Sequence, residues 1–241
     1  MARMYVDTPL EVGSEIALPQ AAVHHARTVL RVTRDDDLTL FNGDGSEYAC
    51  RVVTASKREL RVQIEQSALS ETESPLQITL VQAVSRGERM DYTIQKAIEL
   101  GVSSIEPVIS ERTVVKLDAS RAERKWQHWQ GIVRHAAAQS GRSVIPRLGP
   151  ICGLSEWLAN ADTRDTYVLQ PRAEKPLTAL EEPVDELTII AGPEGGFASH
   201  EIDTLLESGV LAARLGPRIL RTETAALAAI SVAQATWGDW R

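Results

Sequence analysis

The sequence predicts an α/β protein. A small β-rich unit comes first, followed by a larger unit whose sheet is mostly parallel and covered by helices on both faces. Three observations carry this expectation. The chain has 241 residues, enough for one large domain or two ordinary ones. With 43% hydrophobic and 24% charged residues, it has the composition of a globular chain. The pattern also changes at the polar run Ser70-Glu71-Thr72-Glu73-Ser74-Pro75. Before it, strand-like runs follow one another; after it, they alternate with segments of helical spacing. The boundary is placed there, giving a first domain over residues 1–72 and a second over 73–241.

In the first domain, Ala21 to Leu30 is expected to be helical. Pro19 can open the helix, and Val23, Ala26 and Leu30 recur at helical spacing. Leu38-Thr39-Leu40-Phe41 reads as a strand. Asn42-Gly43-Asp44-Gly45 after it tolerates the positive φ of a tight hairpin. Glu47 to Val53 and Leu60 to Ile64 supply the next strands. In the second domain, Leu76 to Val81 is a strand. Met90 to Leu100 is a helix with Ile94, Ala97 and Ile98 on one face, closed by Gly101. Ile105 to Ile109 is a strand. Residues 119–138 form a long polar helix with Trp126, Trp129, Ile132 and Val133 on one side. Tyr167-Val168-Leu169 and Leu187 to Ala191 are strands of the buried type. A helix at 199–208, a strand at 210–215 and an Ala-rich helix from Thr224 to Trp237 complete the chain. In a sheet of this kind, ligands bind at the carboxyl ends of the strands.

Composition excludes several classes. No apolar run approaches the ~20 residues that a membrane span needs. The N-terminus has no apolar leader, and the two cysteines, Cys50 and Cys152, form neither a CxxC pair nor a zinc spacing. A reduced cytoplasm is the expected home. His128 and His135 share a helical face but lack a third ligand nearby, so no metal site is expected. Ser85 and Ser140 lie outside any nucleophile-elbow context. The net charge of −7 argues by itself against a nucleic-acid partner. Its distribution argues otherwise, because residues 86–147 hold 11 Lys and Arg against 7 Asp and Glu. That basic stretch fits either phosphate contact or ordinary solvated helix faces.

Two loops that follow apolar strands stand out. In Ala191-Gly192-Pro193-Glu194-Gly195-Gly196-Phe197, three glycines let backbone pass close to a ligand, and the following helix offers free N–H groups. It is neither a P-loop nor a GxGxxG fingerprint. A tight connection with no ligand would use the same residues. The second loop is Leu215-Gly216-Pro217-Arg218-Ile219-Leu220-Arg221-Thr222-Glu223-Thr224-Ala225. Two Arg and a Glu where a strand gives way to a buried helix should be paired or should face a cleft.

Together these two segments resemble the signature segments of the bacterial 16S rRNA uracil-N3 methyltransferases, which belong to the SPOUT class of S-adenosylmethionine (SAM) enzymes. Further stretches match in order. Arg89-Met90-Asp91-Tyr92-Thr93-Ile94-Gln95-Lys96-Ala97-Ile98-Glu99-Leu100-Gly101-Val102 resembles the family's first helix. Ser110-Glu111-Arg112-Thr113 and Gln139-Ser140-Gly141-Arg142 resemble its middle motifs. Val29-Leu30-Arg31 and the Leu40-Phe41-Asn42-Gly43 hairpin fit its PUA-like module. One departure is Ala138, where the resemblance leads one to expect Glu.

The resemblance implies a small PUA-like β-barrel RNA-binding domain followed by a SPOUT α/β domain with a C-terminal trefoil knot. It also implies a homodimer, to which the Ala-rich last helix is suited as an interface, although burial within one subunit would suit that helix equally. It implies SAM as methyl donor, without metal, and 16S rRNA of the small ribosomal subunit as partner. Leu169 and Gln170 would form one wall of the SAM pocket. Ala191, Gly192, Pro193, Glu194, Gly195 and Gly196 would form the second, and Leu215, Gly216, Ile219, Leu220 and Glu223 the third. Transfer to uracil N3 requires loss of the N3 proton, so Arg218 and Arg221 are expected to position the base and stabilise its developing charge. Glu223 is a candidate base, or alternatively the ion-pair partner of Arg221. Arg3, Arg27, Arg31, Lys116, Arg121, Arg124, Lys125, Arg134 and Arg142 are candidates for phosphate contact. A ribose 2′-hydroxyl methyltransferase of the same class and a non-enzymatic RNA-binding assembly factor are the alternatives.

Overall fold

The computed structural model describes residues 2–28, 30–115, 118–181, 183 and 186–240. The chain forms two compact units. The first comprises Met1–Glu73 together with Ala137–Ile145, and the second Ser74–Ala136 with Pro146–Arg241. The excursion of 137–145 into the first unit is a feature that the linear boundary at 72/73 does not contain.

The first unit holds β1 (Ala2–Tyr5), β2 (Glu15–Ala17), α1 (Gln20–Thr28), β3 (Asp37–Phe41), β4 (Ser46–Ala55) and β5 (Leu60–Leu69). Its five strands form one sheet in the order β1-β3-β4-β5-β2, with β1 parallel to β3 and the other pairs antiparallel. Among the described residues no β1–β2 pairing closes the sheet, so the expected barrel is here a mixed five-stranded sheet with two short edges. The hairpin between β3 and β4 lies at 42–45, and its Gly43 has φ +96, the left-handed region that the sequence anticipates. Leu38, Leu40, Cys50, Val52, Leu60, Val62 and Ile64 alternate inward and pack with Val23 and Ala26 of α1. β5 runs five residues beyond the expected strand because Ser46 to Ala49 pair with Gln66 to Leu69. That extension is exposed, so it carries no apolar alternation to read.

Arg3 ties this unit to residues 137–145. Its guanidinium donates to Glu47 Oε1, to the carbonyls of Ala137, Ala138 and Arg142, and to Ser143 Oγ, and it lies 4.0 Å over the Phe41 ring. Arg142, 4% exposed, is held by Glu73. These two cations stabilise the unit from within, a correction to their expected place on an RNA-binding surface: a guanidinium whose donors are spent internally has none left for phosphate. Only the backbone of Ala138 takes part, which accommodates the departure from Glu at that position.

The second unit contains β6 (Gln77–Ala83), α2 (Arg89–Glu99), β7 (Ser104–Ile109), α3 (Ala119–Ser140), β8 (Arg147–Leu148), β9 (Cys152–Gly153) and α4 (Leu154–Asn160). β10 (Thr166–Leu169), a 3-10 turn at Leu177–Ala179, β11 (Glu186–Ala191), α5 (Ser199–Glu207), β12 (Leu211–Ala213) and α6 (Thr222–Thr236) follow. The sheet order is β12-β10-β11-β6-β7-β8, with every pair parallel. Successive strand residues point to opposite faces, and both faces are apolar, as Ile189 and Ile190 show, each fully buried. On one face Val81, Val108, Val168 and Ile190 pack with Leu154 of α4 and Leu205 of α5. On the other, α6 packs against α2, β11 and β6. The small residues Ala226, Ala229 and Ala233 let α6 approach closely. Gln234 then fixes it: its Nε2 donates to Leu100 O, and its Oε1 accepts from Ser74 Oγ. A Cβ at Gly101 would stand 2.5 Å from that Nε2, so glycine is needed there for space as well as for its φ of +90. Among the described residues no helix is long and apolar enough to cross a membrane.

Candidate active site

Three neighbouring parallel strands, β12, β10 and β11, end side by side, and the turns leaving them meet. After β12 the chain runs beside the β10 exit: Arg214 N donates to Lys175 O, and Leu177 N donates to Arg214 O. Eight residues later, Thr222 Oγ1 donates to Gly192 O in the turn after β11 at 2.5 Å. Residues 214–222 therefore pass from one turn to the other, the local path that a trefoil knot requires.

The glycine turn is built tightly. Gly196 N donates to Pro193 O, and Gly196 has φ +66. A Cβ on Gly192 would stand 3.2 Å from the Phe197 ring, which folds back beneath it. α5 is opened by Glu201, whose carboxylate accepts from Ala198 N. Glu194 reaches to the turn after β6 and the start of α2. Its Oε1 accepts from Arg86 N and from Arg89 Nη1, both at 3.0 Å. Partial burial opposes ionisation, yet these two donors hold the Glu194 carboxyl below its ordinary value. Arg112 Nη1 donates to Gly195 O on the same side. The turns after β6 and β7 thus hold the glycine turn from outside.

The walls enclose a cavity of about 470 Å³. Leu169 and Gln170 come from β10. Ala191, Gly192, Pro193, Glu194 and Gly196 come from the glycine turn. Leu215, Gly216, Arg218, Ile219, Leu220, Arg221 and Glu223 come from the last turn. Gly195 is the one expected wall residue outside the lining, since its missing side chain would point at Arg112. Arg89, Phe197, Thr222 and Ala225 also line the cavity. Arg89 opens α2, 103 residues before Gly192 in the chain, and its place at the head of the stretch that resembles the family's first helix was the signal that could have found it.

The electrostatics favour an anion forming beside the cations of the last turn. Among the described residues neither the Arg218 nor the Arg221 guanidinium has a hydrogen-bond or ion-pair partner, and both are exposed at the cavity. Glu223 Oε2 is buried and has no partner. The expected alternative, an Arg221–Glu223 ion pair, is not formed. A buried carboxylate oxygen without a protein donor is costly unless water, an ion or a ligand supplies one. The apolar Leu169, Leu215 and Leu220 suit a flat ring, and strand-end carbonyls and N–H groups suit a polar rim. The aliphatic walls and polar rim fit SAM, with its adenine between the apolar side chains.

The remaining basic candidates are scattered. Arg31 is exposed and has φ +56, a left-handed conformation uncommon for a side-chain-bearing residue. On α3, Arg121 faces Asp118, Arg124 is exposed, Lys125 lies 5.6 Å over the Trp129 ring, and Arg134 is exposed. Lys116 and the Arg27 side chain lie outside the described residues. Trp129 is fully buried and donates to Asp91, so its ring packs in the core, while the half-buried Trp126 donates to Gly149 O.

Against known proteins, residues 72–234 match the model of the RNA methyltransferase domain, and residues 18–65 match the RNA methyltransferase PUA domain. The chain belongs to this RNA methyltransferase family. The ribosomal RNA small subunit methyltransferase E of Buchnera aphidicola (from Acyrthosiphon pisum) is 32% identical over 240 residues, covering 99% of this chain and 95% of that one. The Bacillus subtilis protein of the same name is 30% identical, with 92% and 90% covered. A crystal structure of the Neisseria gonorrhoeae ribosomal RNA small subunit methyltransferase E bound to S-adenosyl methionine superposes with TM-score 0.96 at 40% identity, covering all of both chains. A Legionella pneumophila methyltransferase in complex with SAM gives 0.94 at 39% identity, with 98% of each covered. Likeness of this kind extends across both units of the methyltransferase.

Proposed function

We propose that this protein is a SAM-dependent methyltransferase that places a methyl group on N3 of a uridine in the decoding region of 16S rRNA, in the cytoplasm. The observation that carries the reading is the cavity between the two C-terminal turns, where two unpartnered arginines stand beside a buried, unpartnered carboxylate oxygen. The SAM-bound relatives support the donor, and their names support the small-subunit rRNA.

SAM supplies an electrophilic methyl on sulfonium. The residues of this chain do the rest. The backbone of Gly192 and Gly216 and the side chains of Leu169, Leu215, Ile219 and Leu220 hold the donor. Pro193 and Gly196 shape the turn. Arg218 and Arg221 hold the uracil in line with the methyl and stabilise negative charge on O2 and O4. Glu223 Oε2 accepts the N3 proton, freeing the lone pair that attacks. Bound SAM would give up its methyl to N3 and leave as the neutral thioether, while Glu223 keeps the proton. The first unit and the cations of α3 hold the RNA, and the target base leaves its stack to enter the cavity. A homodimer would use the outward face of α6, where Leu227, Ala228, Ser231 and Val232 are only partly covered.

The test is methyl transfer in vitro from isotope-labelled SAM to small subunits and to naked 16S rRNA. Mass spectrometry of the digested RNA should give labelled 3-methyluridine. Label on a ribose 2′-hydroxyl would replace the proposed base chemistry, and RNA binding without transfer would make the protein an assembly factor.

A further inference from the structure

The residue between Arg221 and Glu223 has no role in the reading above. Thr222 lies 7% exposed at the first position of α6, and its hydroxyl is fully engaged. It donates to Gly192 O at 2.5 Å and accepts from Gln82 Nε2 at 3.0 Å. Gln82 is completely buried on β6, in register with Ala191, and its Nε2 also donates to Ala83 O. Its Oε1 is buried without a partner. A chain of hydrogen bonds therefore runs from β6 through the start of α6 to the glycine turn.

A hydroxyl holding one donor and one acceptor leaves its backbone a single position. The two neighbours of Thr222 are the residues assigned to the base and its proton, and Gly192 is a wall of the donor site. The Gln82 amide leaves a carbonyl oxygen unpartnered in the core, a cost that its Nε2 offsets through its bonds to Thr222 and to Ala83 O. Nothing in packing requires this: a valine would fill the space of Thr222 and a leucine that of Gln82.

We infer that Thr222, anchored by Gln82, is a positioning residue that sets the distance between the methyl-donor wall at Gly192 and the base-facing pair Arg221 and Glu223. This rests on the methyltransferase reading. A misplacement of about 1 Å of reacting groups costs up to ~100-fold in rate. Thr222→Val removes both bonds at constant volume, and Thr222→Ser keeps them.

The experiment compares these two variants with the parent. In the SAM-free protein, hydrogen exchange of the amides of residues 191–198 should quicken in Thr222→Val and match the parent in Thr222→Ser. At saturating SAM and RNA, kcat should fall at least tenfold in Thr222→Val while KM for RNA stays within threefold; Thr222→Ser should stay within threefold in both. Exchange and kcat both unchanged in Thr222→Val would overturn the inference, as would equal losses in Thr222→Val and Thr222→Ser. If Thr222→Val does not fold, Gln82→Leu, which releases only the anchor, should show the same faster exchange and a smaller fall in kcat; parental behaviour there would overturn it too. A parent that binds SAM but transfers no methyl would sink the functional reading, while the exchange result would still decide the positioning.

Discussion

At the scale of single residues, the site brings unpaired guanidinium groups and a buried, unpaired carboxylate oxygen to one cavity. Most arginines of this chain are engaged: Arg3 and Arg142 internally, Arg89 with Glu194, Arg147 with Glu106. Arg218 and Arg221 are not, although they stand where a carboxylate, Glu223, is close in sequence. Removing an arginine that makes no internal contact should leave stability unchanged. Arg221→Ala is therefore expected to lower kcat by roughly 10²- to 10³-fold, the range for loss of one preorganised donor. SAM affinity should stay within threefold and Tm within a degree or two; calorimetry and a thermal melt check both. Loss of SAM binding would move Arg221 to the donor site. The sequence makes these two arginines legible because they flank an irregular strand-to-helix passage. It left open whether Glu223 pairs with Arg221, since that depends on which way a partly buried carboxylate turns.

At the scale of elements, the glycine turn depends on its neighbours more than on itself. Glu194 reads in sequence as part of the donor wall, and it does line the cavity, but its carboxylate oxygen serves the turn after β6. Because its folded-state pKa is depressed, this clasp contributes fully above the ordinary carboxylate value and is lost as pH falls through the depressed one. SAM affinity should hold from neutral pH down past the ordinary carboxylate value and fall only as the Glu194 carboxyl becomes protonated below it. Glu194→Gln should bind SAM about three- to tenfold more weakly already at pH 7, the scale of a partly exposed ion pair and hydrogen bond. It should lack the acid-dependent fall that this group causes. Titration calorimetry across pH separates the two, and an unchanged pH profile in Glu194→Gln would remove the clasp. Other element-level features were hidden for a plain reason. β1, β2, β8 and β9 have four residues or fewer, too short for any period to show. Gly195 looked equivalent to Gly192 and Gly196, yet only the path of the turn decides that its open side faces Arg112.

For the whole molecule, a net charge of −7 must be reconciled with an RNA substrate. The cations on α3 at Arg121 and Arg124 are exposed and uninvolved in the core. If they meet phosphate, affinity for 16S rRNA fragments should fall steeply with salt. Replacing both by Ala should reduce the slope of log K against log salt by roughly 1 per cation. SAM affinity should not change. Filter binding at several salt concentrations measures this, and a slope equal to the parent's would place the phosphate contacts elsewhere. The same scale explains the division into units. A polar linker at 70–75 is visible in the sequence, but the return of 137–145 to the first unit is fixed by Arg3 reaching across more than 130 residues to four acceptors.

By itself the sequence determined the alternation of strands and helices, the hairpin at 42–45, and the two turns where chemistry gathers. Each of these follows from residues within a turn or two of one another, through periodicity, glycine φ and strand-end loops. Only the tertiary structure decided that the two turns share one cavity, that Glu194 faces Arg89, that Arg3 and Arg142 are internal, and that Thr222 joins Gly192 to Gln82. Those outcomes are hydrogen bonds between groups 30 to 140 residues apart. Their partners are chosen by how strands order within the sheet, and no local pattern records that order.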